Sequence, residues 1–168
     1  MPVQLAHLPT VGGLVVPWIT AVAPDGRAHF GHTLSQRIEL ALWTRLCQVC
    51  GRTLDPTFVF AMRDSDVAAR NSKEPAMHPV CARYAATACP MLQGRRTGYQ
   101  AKPITVDDRR IEIVNSGDPS GIRADEPAEP WHLVWANGYQ VRLHSLTGTL
   151  TAQMTAERML RVRPISRR

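Results

Sequence analysis

The sequence predicts an α+β fold, a small single domain whose elements surround one zinc-binding motif. Three observations support this prediction. Cysteine and histidine residues occur as two pairs with i,i+3 spacing, a regular helical pattern runs up to the first pair, and a β-rich segment separates the two pairs. The chain has 168 residues, of which 44% are apolar, and this is enough for one domain with a buried core.

The N-terminal apolar run at residues 11–23 predicts an extended, buried segment that ends in a turn at Pro24-Asp25-Gly26. The run is too short to span a bilayer and is interrupted by Pro17. Ala21-Val22-Ala23 has the form of a signal-peptidase site, but no Lys or Arg precedes Arg27, so the charged start of a secretory signal is missing. We therefore expect a cytoplasmic protein whose cysteines are metal ligands and not disulfide partners.

The most regular helical pattern covers residues 34–46. Apolar side chains recur there every four residues, at Leu34, Ile38, Leu42 and Leu46. Trp43 widens this stripe, and Thr33 with Gln36 has the spacing of a capping box. The predicted helix leads directly into Cys47.

Two further elements are predicted between the ligand pairs. Residues 57–62 have the composition of a strand, whereas residues 63–73 are polar and predict a loop or a weak second strand. His78 and Pro79 suit the cap and the first position of a helix, which ends at Cys89 because Pro90 disfavours helix at the residue before it. Knuckle, β-hairpin and helix in this order are typical of a treble-clef zinc finger, here at residues 47–92.

The C-terminal half is less regular. Residues 104–106 and 111–114 predict short strands, and residues 115–130 predict a loop or linker because they contain few apolar side chains. Residues 131–144 allow two interpretations, since Asn137-Gly138 is a strong hairpin signal but the apolar residues could also line one face of a helix.

Residues 151–163 predict a terminal helix. Three apolar residues would face inward, and these are Met154, Met159 and Leu160; three arginines would face outward, and these are Arg158, Arg161 and Arg163. The predicted organisation is therefore an α+β domain at residues 1–114, the linker, and a C-terminal extension at 131–168 that ends in a basic helical tail.

The strongest chemical signal is formed by Cys47 with Cys50 and by His78 with Cys81. A tetrahedral zinc site takes four nitrogen or sulfur donors, and two i,i+3 pairs can supply them. Gly51 directly after the first pair lets the backbone turn tightly around the thiolates. We predict one structural Zn²⁺ held by these four side chains.

Other interpretations of the cysteines remain open. Cys47 and Cys50 could pack as small apolar side chains with His78 as a helix cap, or they could form a redox pair. Cys89 lies about 12 Å along a helix from Cys81, too far to share its metal ion, so we predict that it is a buried packing residue.

Four stretches carry a resemblance to a known group: Leu46-Cys-Gln-Val-Cys-Gly51, Glu74-Pro75, His78-Pro-Val-Cys-Ala-Arg83 and Cys89-Pro-Met-Leu92. They resemble a group of uncharacterised small proteins from actinobacteria and their phages, which read LCQVC, then EPP-x-C-x-x-C, then a helix ending in CP. Residues 16–20 also look like the start of that group.

The resemblance covers residues 15–95 well and the rest of the chain loosely. It implies an actinobacterial or actinophage origin and a cytoplasmic location, but no established activity. The group has a cysteine at the position of His78. Since histidine commonly replaces cysteine at zinc, this departure supports ligation there. In the group the region equivalent to residues 131–143 looks helical, which conflicts with Asn137-Gly138 in this chain.

The positive charge lies on the predicted zinc segment and on the C-terminal tail, with an acidic stretch between them. The first hypothesis is therefore a zinc-stabilised module whose role is nucleic-acid binding or regulation. Its candidate phosphate contacts are Arg83 on the finger helix, Arg95 and Arg96 after it, and Arg161, Arg163, Arg167 and Arg168 in the tail. A solvated helix end explains the basic tail equally well.

Two other functions compete with this hypothesis. One is a protein-interaction factor with a purely structural zinc, for which the aromatic residues at 131–139 suit a docking surface. The other is a metal-dependent nuclease, for which Asp64, Asp66 and Asn71 follow the knuckle without a suitable histidine.

His29 and His32 also have metal-ligand spacing, but they lack nearby partners and predict a solvated loop. No catalytic triad, phosphate loop or dinucleotide fingerprint is present in the sequence, so a conventional hydrolase, kinase or dehydrogenase has no support. Neither a membrane nor a small-molecule substrate is indicated as a partner.

Overall fold

The computed structural model describes residues 1–96, 98, 113–115, 127–145 and 148–166, with the backbone alone for 113–115. In these ranges the chain is a mixed α/β fold of short antiparallel sheets with three α-helices. The helices are α1 (Ser35–Thr44), α2 (Asp64–Ala69) and α3 (Pro79–Ala88). The strands are β1 (Thr10–Val11), β2 (Leu14–Val15), β3 (Thr20–Val22), β4 (Ala28–Leu34), β5 (Phe58–Arg63), β6 (Asn71–Ser72), β7 (Ile113–Asn115), β8 (Trp131–Ala136), β9 (Gln140–Leu143), β10 (Leu150–Gln153) and β11 (Met159–Pro164).

The central sheet consists of β5, β8 and β11, with β8 in the middle and antiparallel to both neighbours. Val59 lies opposite Trp135 on one face, whereas Phe60 lies opposite Val134 on the other. Every residue of β5 is buried because both faces of this sheet are covered. The segment predicted as a C-terminal extension therefore shares a sheet with the segment that follows the knuckle.

A separate hydrophobic cluster covers each face of the central sheet. On the face of Val59, the cluster contains Cys81 and Ala82 of α3. On the other face, the rings of Phe58, Phe60 and Tyr139 meet edge to face at centroid distances of 5.6–5.7 Å. The Tyr139 hydroxyl donates a hydrogen bond of 2.7 Å to the carbonyl oxygen of Leu42, which ties α1 to this second core.

Two smaller sheets and a hairpin accompany the central sheet. One sheet has the order β3-β4-β7 and the other β6-β10-β9, while β1 pairs with β2. The predicted turn at residues 24–26 is confirmed, since Ala23 N–H donates to the Arg27 carbonyl oxygen at 2.8 Å and Gly26 has φ +84°. The predicted strand at 111–114 is present in part as β7, whereas residues 104–106 and most of 115–130 lie outside the described residues.

The first predicted helix is confirmed as α1, but two details of its prediction are wrong. Leu34 and not Thr33 precedes the helix, and no side chain caps it, because Thr33 lies within β4. Trp43 does not widen the buried stripe, since 63% of its surface is exposed. The helix ends at Thr44, and the following residue, Arg45, has a left-handed backbone (φ +55°) that turns the chain toward the knuckle.

The predicted helix after His78 is confirmed as α3, and the predicted strand at 57–62 is confirmed as β5. The prediction for residues 63–73 is wrong in its first half, because α2 begins directly after β5. Strand β6 then pairs with β10 and not with β5, so the predicted hairpin ladder does not form between knuckle and helix. Only a bridge between Val59 and Met77 joins β5 to the residues that lead into α3.

Residues 131–144 form strands, so the helical interpretation is wrong. The hairpin interpretation is also wrong, because β8 pairs with β5 and β11 whereas β9 pairs with β10. Asn137 donates its N–H to the Arg158 carbonyl oxygen at 3.2 Å, and the chain passes there from one sheet to the other. The local turn chemistry marks a bend but does not decide which strands pair.

The predicted basic helical tail is wrong as well. Residues 151–163 form the end of β10, a short 3-10 turn at Ala156–Arg158, and most of β11. Leu160 is 51% exposed and does not face inward, although Met154 is buried as predicted. Arg161 and Arg163 alternate along β11 opposite Trp135 and Leu133, which is the two-residue period of a strand.

Arg63 at the end of β5 is a charged residue inside the fold, with a relative exposure of 1%. Its Nε and Nη2 donate to the two carboxylate oxygens of Asp66 at 2.7 and 2.9 Å. Its guanidinium also lies 5.8 Å from the ring centroid of Trp131. This bidentate pair fixes the start of α2 on the central sheet. Across the described part of the chain, no helix has the length and apolar character needed to cross a membrane.

Candidate metal centre

The first ligand pair lies in a tight turn after α1. Leu46 and Thr53 form a bridge across this turn, and Cys47 donates its N–H to the Arg52 carbonyl oxygen at 2.8 Å. Gly51 donates its N–H to the Cys47 carbonyl oxygen, also at 2.8 Å, and has φ +71°. The backbone therefore wraps around the two thiols as expected for a zinc knuckle.

The second ligand pair lies at the start of α3. His78 precedes the helix, Pro79 takes its first position, and Cys81 is in its first turn. Val59 and Met77 exchange two backbone hydrogen bonds of 2.8 Å, which hold the residues before α3 against β5. Gln48 in the knuckle donates its N–H to the Ala76 carbonyl oxygen at 3.0 Å, so the two pairs are joined directly.

The four predicted ligands come together in one cluster. One donor atom from each of Cys47, Cys50, His78 and Cys81 lies within 4.8 Å of all the others, so the group could hold a metal ion. The three thiols are buried and free of disulfides, and the Sγ of Cys50 lies 3.4 Å from Nδ1 of His78. Cys89 is also a free cysteine but is not a member of this group.

The orientation of His78 is fixed by its second ring nitrogen. Nε2 lies 2.9 Å from the carbonyl oxygen of Thr53. Since a carbonyl oxygen only accepts hydrogen bonds, Nε2 is the donor in this contact, and Nδ1 is the ring nitrogen that faces the thiols and is placed to bind a metal ion. Such an outer hydrogen bond is the usual support of a metal-bound histidine. Thr53 was not identifiable from sequence, because its contribution is a backbone oxygen.

The thiols influence one another strongly. Hydrogen bonds from Cys47 and then Cys81 lower the pKa of the Cys50 thiol far below its ordinary value. The hydrogen bond between Cys47 and Cys50 raises the pKa of the Cys47 thiol. The pKa of the Cys81 thiol is also raised, mainly by its hydrogen bond with Cys47 and next by its hydrogen bond with Cys50. Ionisation of one of these thiols therefore opposes ionisation of the other two. A bound cation would offset the repulsion between neighbouring thiolates. Thiolate sulfur together with imidazole nitrogen is a donor set that suits zinc and other borderline-soft ions.

Gly51 is the residue on which the shape of the knuckle depends most. A Cβ at this position would lie 2.8 Å from Cγ of Trp18, and the residue has φ +71°. Trp18 is itself attached to the knuckle, since its N–H donates to the Val49 carbonyl oxygen at 2.8 Å.

We expect Gly51→Ala to lower the free energy of unfolding by about 2–4 kcal/mol, because left-handed backbone strain and overpacking against Trp18 add together. Urea unfolding of both proteins measures this difference. Gly12→Ala is the matched control, since Gly12 has φ +58° but nothing within 4 Å of its would-be Cβ. Equal losses in the two variants would show that Trp18 does not constrain the knuckle.

The candidate phosphate-binding arginines are all exposed, at Arg83, Arg95, Arg96, Arg161 and Arg163, whereas Arg167 and Arg168 lie outside the described residues. Arg83 on α3 and Arg163 on β11 line the same groove, whose volume is about 500 Å³. Arg95 and Arg96 are not among its lining residues. The groove runs between α3 and the edge strand of the central sheet.

Trp135 and Leu133 of β8 also line this groove, and the guanidinium of Arg161 lies 5.5 Å from the ring centroid of Trp135. Sequence analysis placed Trp135 among the aromatic residues of a candidate protein-docking surface at 131–139 and did not predict its position in an arginine-lined groove, although an aromatic residue opposite alternating arginines is a usable signal. Among the groove-lining residues that the structure describes, there is no carboxylate.

The nuclease candidates do not belong to a group of three or more potential metal ligands among the described residues. Asp66 is engaged by Arg63, and Asp64 lies 3.4 Å from Nδ1 of His132. The prediction of a solvated loop for His29 and His32 is wrong, since both lie on β4 and His32 is only 1% exposed. Within the described ranges, the cysteine–histidine cluster is the one group of three or more potential metal ligands.

Comparison of the chain with protein-family models, curated proteins and solved structures gives no match. The resemblance to small proteins of actinobacteria and their phages therefore stays a prediction.

Proposed function

We propose that this protein is a zinc-stabilised module that binds nucleic acid in the groove between α3 and β11. In this proposal Cys47, Cys50, His78 and Cys81 hold one structural Zn²⁺. The ion supplies a cross-link between the knuckle and the start of α3, and it takes no part in chemistry because protein ligands fill all four positions.

The choice of zinc rests on the donor set. Zn–S and Zn–N bonds of about 2.3 and 2.0 Å place sulfur and nitrogen about 3.5 Å apart in a tetrahedron. The separation of Cys50 Sγ and His78 Nδ1 is 3.4 Å. We assign the arrangement to the treble-clef type because a knuckle, a β segment bridged through Val59 and Met77, and a helix follow in that order, with the last ligands at the helix start.

The observation that carries the nucleic-acid proposal is the position of Arg83 and Arg163. They lie 80 residues apart in sequence but line one groove, and none of the described residues that line it is a carboxylate. In the part of the chain that the structure describes, neither guanidinium is paired with an acidic side chain. Two such cations facing one cavity favour an anionic chain such as a phosphodiester backbone.

Binding of a fluorescently labelled 20-nucleotide strand and of its duplex, titrated at several salt concentrations, tests this proposal. We expect affinity to fall steeply with salt, because each phosphate contact contributes about −0.7 to −0.9 to the slope of log K against log salt. Arg83→Ala and Arg163→Ala should each make that slope shallower by about one contact.

Arg142→Ala is the matched control, since Arg142 is an exposed arginine on β9 in a different sheet. An affinity that does not depend on salt, or equal effects of all three substitutions, would contradict the assignment of the groove.

A protein-binding role is the second candidate function. Leu40 and Trp43 lie one turn apart on α1 and are 47% and 63% exposed. Exposed aromatic and aliphatic side chains of this kind are common anchors of protein interfaces. Metal-loaded, folded protein that binds neither form of nucleic acid would favour this candidate.

A further inference from the structure

Among the described residues that line the groove with Arg83 and Arg163, Trp135 is the aromatic one. It belongs to the middle strand of the central sheet, and its register partners are Val59 on β5 and Arg161 on β11. Because directly opposite residues share a face, Trp135 and Arg161 are neighbours on the groove side. The indole is half-buried, so it is held by the core yet still forms part of the groove surface.

We propose that the groove is selective for single-stranded nucleic acid, with a base packed at Trp135 and its flanking phosphates at Arg83 and Arg163. This inference rests on the proposed function and specifies its ligand. Stacking of bases on aromatic side chains, beside cations that follow the backbone, is the common way in which proteins bind single strands.

The dimensions of the groove favour a single strand over a duplex. Its volume of about 500 Å³ lies within the size range of small-ligand sites, which is the size class of a nucleotide and not of a double helix. In a duplex the bases are stacked on one another and their faces are closed to an indole. The arginine-bearing side of α3 forms a wall of the groove through Arg83, Ala86 and Thr87, so it is not a helix that projects into a major groove.

Arg161 gives a second reason for this ligand. Its guanidinium lies 5.5 Å from the ring centroid of Trp135, where a planar base would otherwise lie. In the complex the base takes this position and the guanidinium moves to a neighbouring phosphate. The same side chain therefore covers the indole in the free protein and adds a third cation in the complex.

The test compares a labelled 12-nucleotide thymidine strand with a 12-base-pair duplex at low salt, for the wild type, Trp135→Leu and Trp135→Phe. We expect tighter binding of the single strand. Trp135→Leu should weaken that binding by about tenfold or more, because stacking makes a large contribution for each base. Duplex binding and the salt slope should change little, and Trp135→Phe should retain most of the affinity.

Trp43→Leu is the control for loss of an exposed tryptophan outside the groove, and it should leave binding unchanged. Metal content and circular dichroism identify a variant that has failed to fold, and in that case Trp135→Phe carries the comparison. Equal affinity for strand and duplex, or single-strand binding that survives Trp135→Leu, would overturn this inference.

The two proposals fail in different ways. If Arg83→Ala still weakens binding but Trp135→Leu does not, the inference is overturned and the proposed function stands. If the wild type binds neither strand nor duplex, both are overturned. Binding of a free mononucleotide as tight as that of the 12-nucleotide strand would also overturn the inference, because the groove would then not recognise a chain.

Discussion

Replacement of Cys47 or Cys81 by serine is expected to abolish metal retention and to unfold the part of the protein around α3. Both thiols are almost completely buried, with relative exposures of 0% and 1%. Structural zinc contributes about 10–16 kcal/mol to folding in zinc-finger peptides, so loss of one ligand is a large perturbation. Since a second core lies on the other face of the central sheet, we expect a loss of about 4 kcal/mol or more in the free energy of unfolding and not a wholly disordered chain.

Cys89→Ser is the matched control for these variants. Cys89 is a partly buried cysteine at the end of α3 that packs on the same core but lies outside the ligand cluster. We expect it to keep its metal and to lose about 1 kcal/mol. Metal analysis and urea unfolding of all three variants measure both effects. Equal loss of metal from Cys89→Ser would refute the ligand assignment.

Asp66→Ala is expected to have the second-largest effect, although Asp66 lies outside the metal centre. Its carboxylate accepts hydrogen bonds from Nε and Nη2 of Arg63, which is 1% exposed, and from the Arg63 N–H at 3.1 Å. Truncation leaves a buried guanidinium without this bidentate partner, which costs about 3–5 kcal/mol when an ion pair is fully buried. Urea denaturation monitored by circular dichroism measures the loss.

Asp64→Ala provides the comparison, because Asp64 is on the same helix and its side chain is 57% exposed. Its contact with His132 is a partly solvent-exposed side-chain pair, so we expect the free energy of unfolding to change by about 1 kcal/mol or less. If both variants lost the same small amount, the Arg63–Asp66 pair would not be an anchor of α2 on the central sheet.

The cysteine–histidine cluster could be predicted from sequence because its determinants are local. Each ligand pair lies within one turn, Gly51 supplies the required backbone conformation, and Pro79 marks the start of α3. α1 and β5 were also predictable to within one or two residues, since their apolar patterns are regular over their whole length. The hydrogen bond from His78 to Thr53 could not be predicted from sequence, because it depends on how the knuckle folds back.

The C-terminal half was mispredicted because its structure depends on tertiary pairing. Asn137-Gly138 produces a turn wherever it occurs, but only packing decides that β8 joins β5 and β11 while β9 joins β10. Residues 159–164 are short and arginine-rich, and a neighbouring strand converts such a segment into β structure. The groove could not be predicted either, since Arg83 and Arg163 meet only through the packing of α3 on the central sheet.

The most direct test of the account is the metal content of the purified wild-type protein, prepared without added metal and measured by inductively coupled plasma mass spectrometry. We expect one zinc ion per chain, retained through gel filtration and released when the thiols are modified under denaturing conditions. A folded protein that contains no metal, and that takes up none when zinc is supplied under reducing conditions, would contradict it.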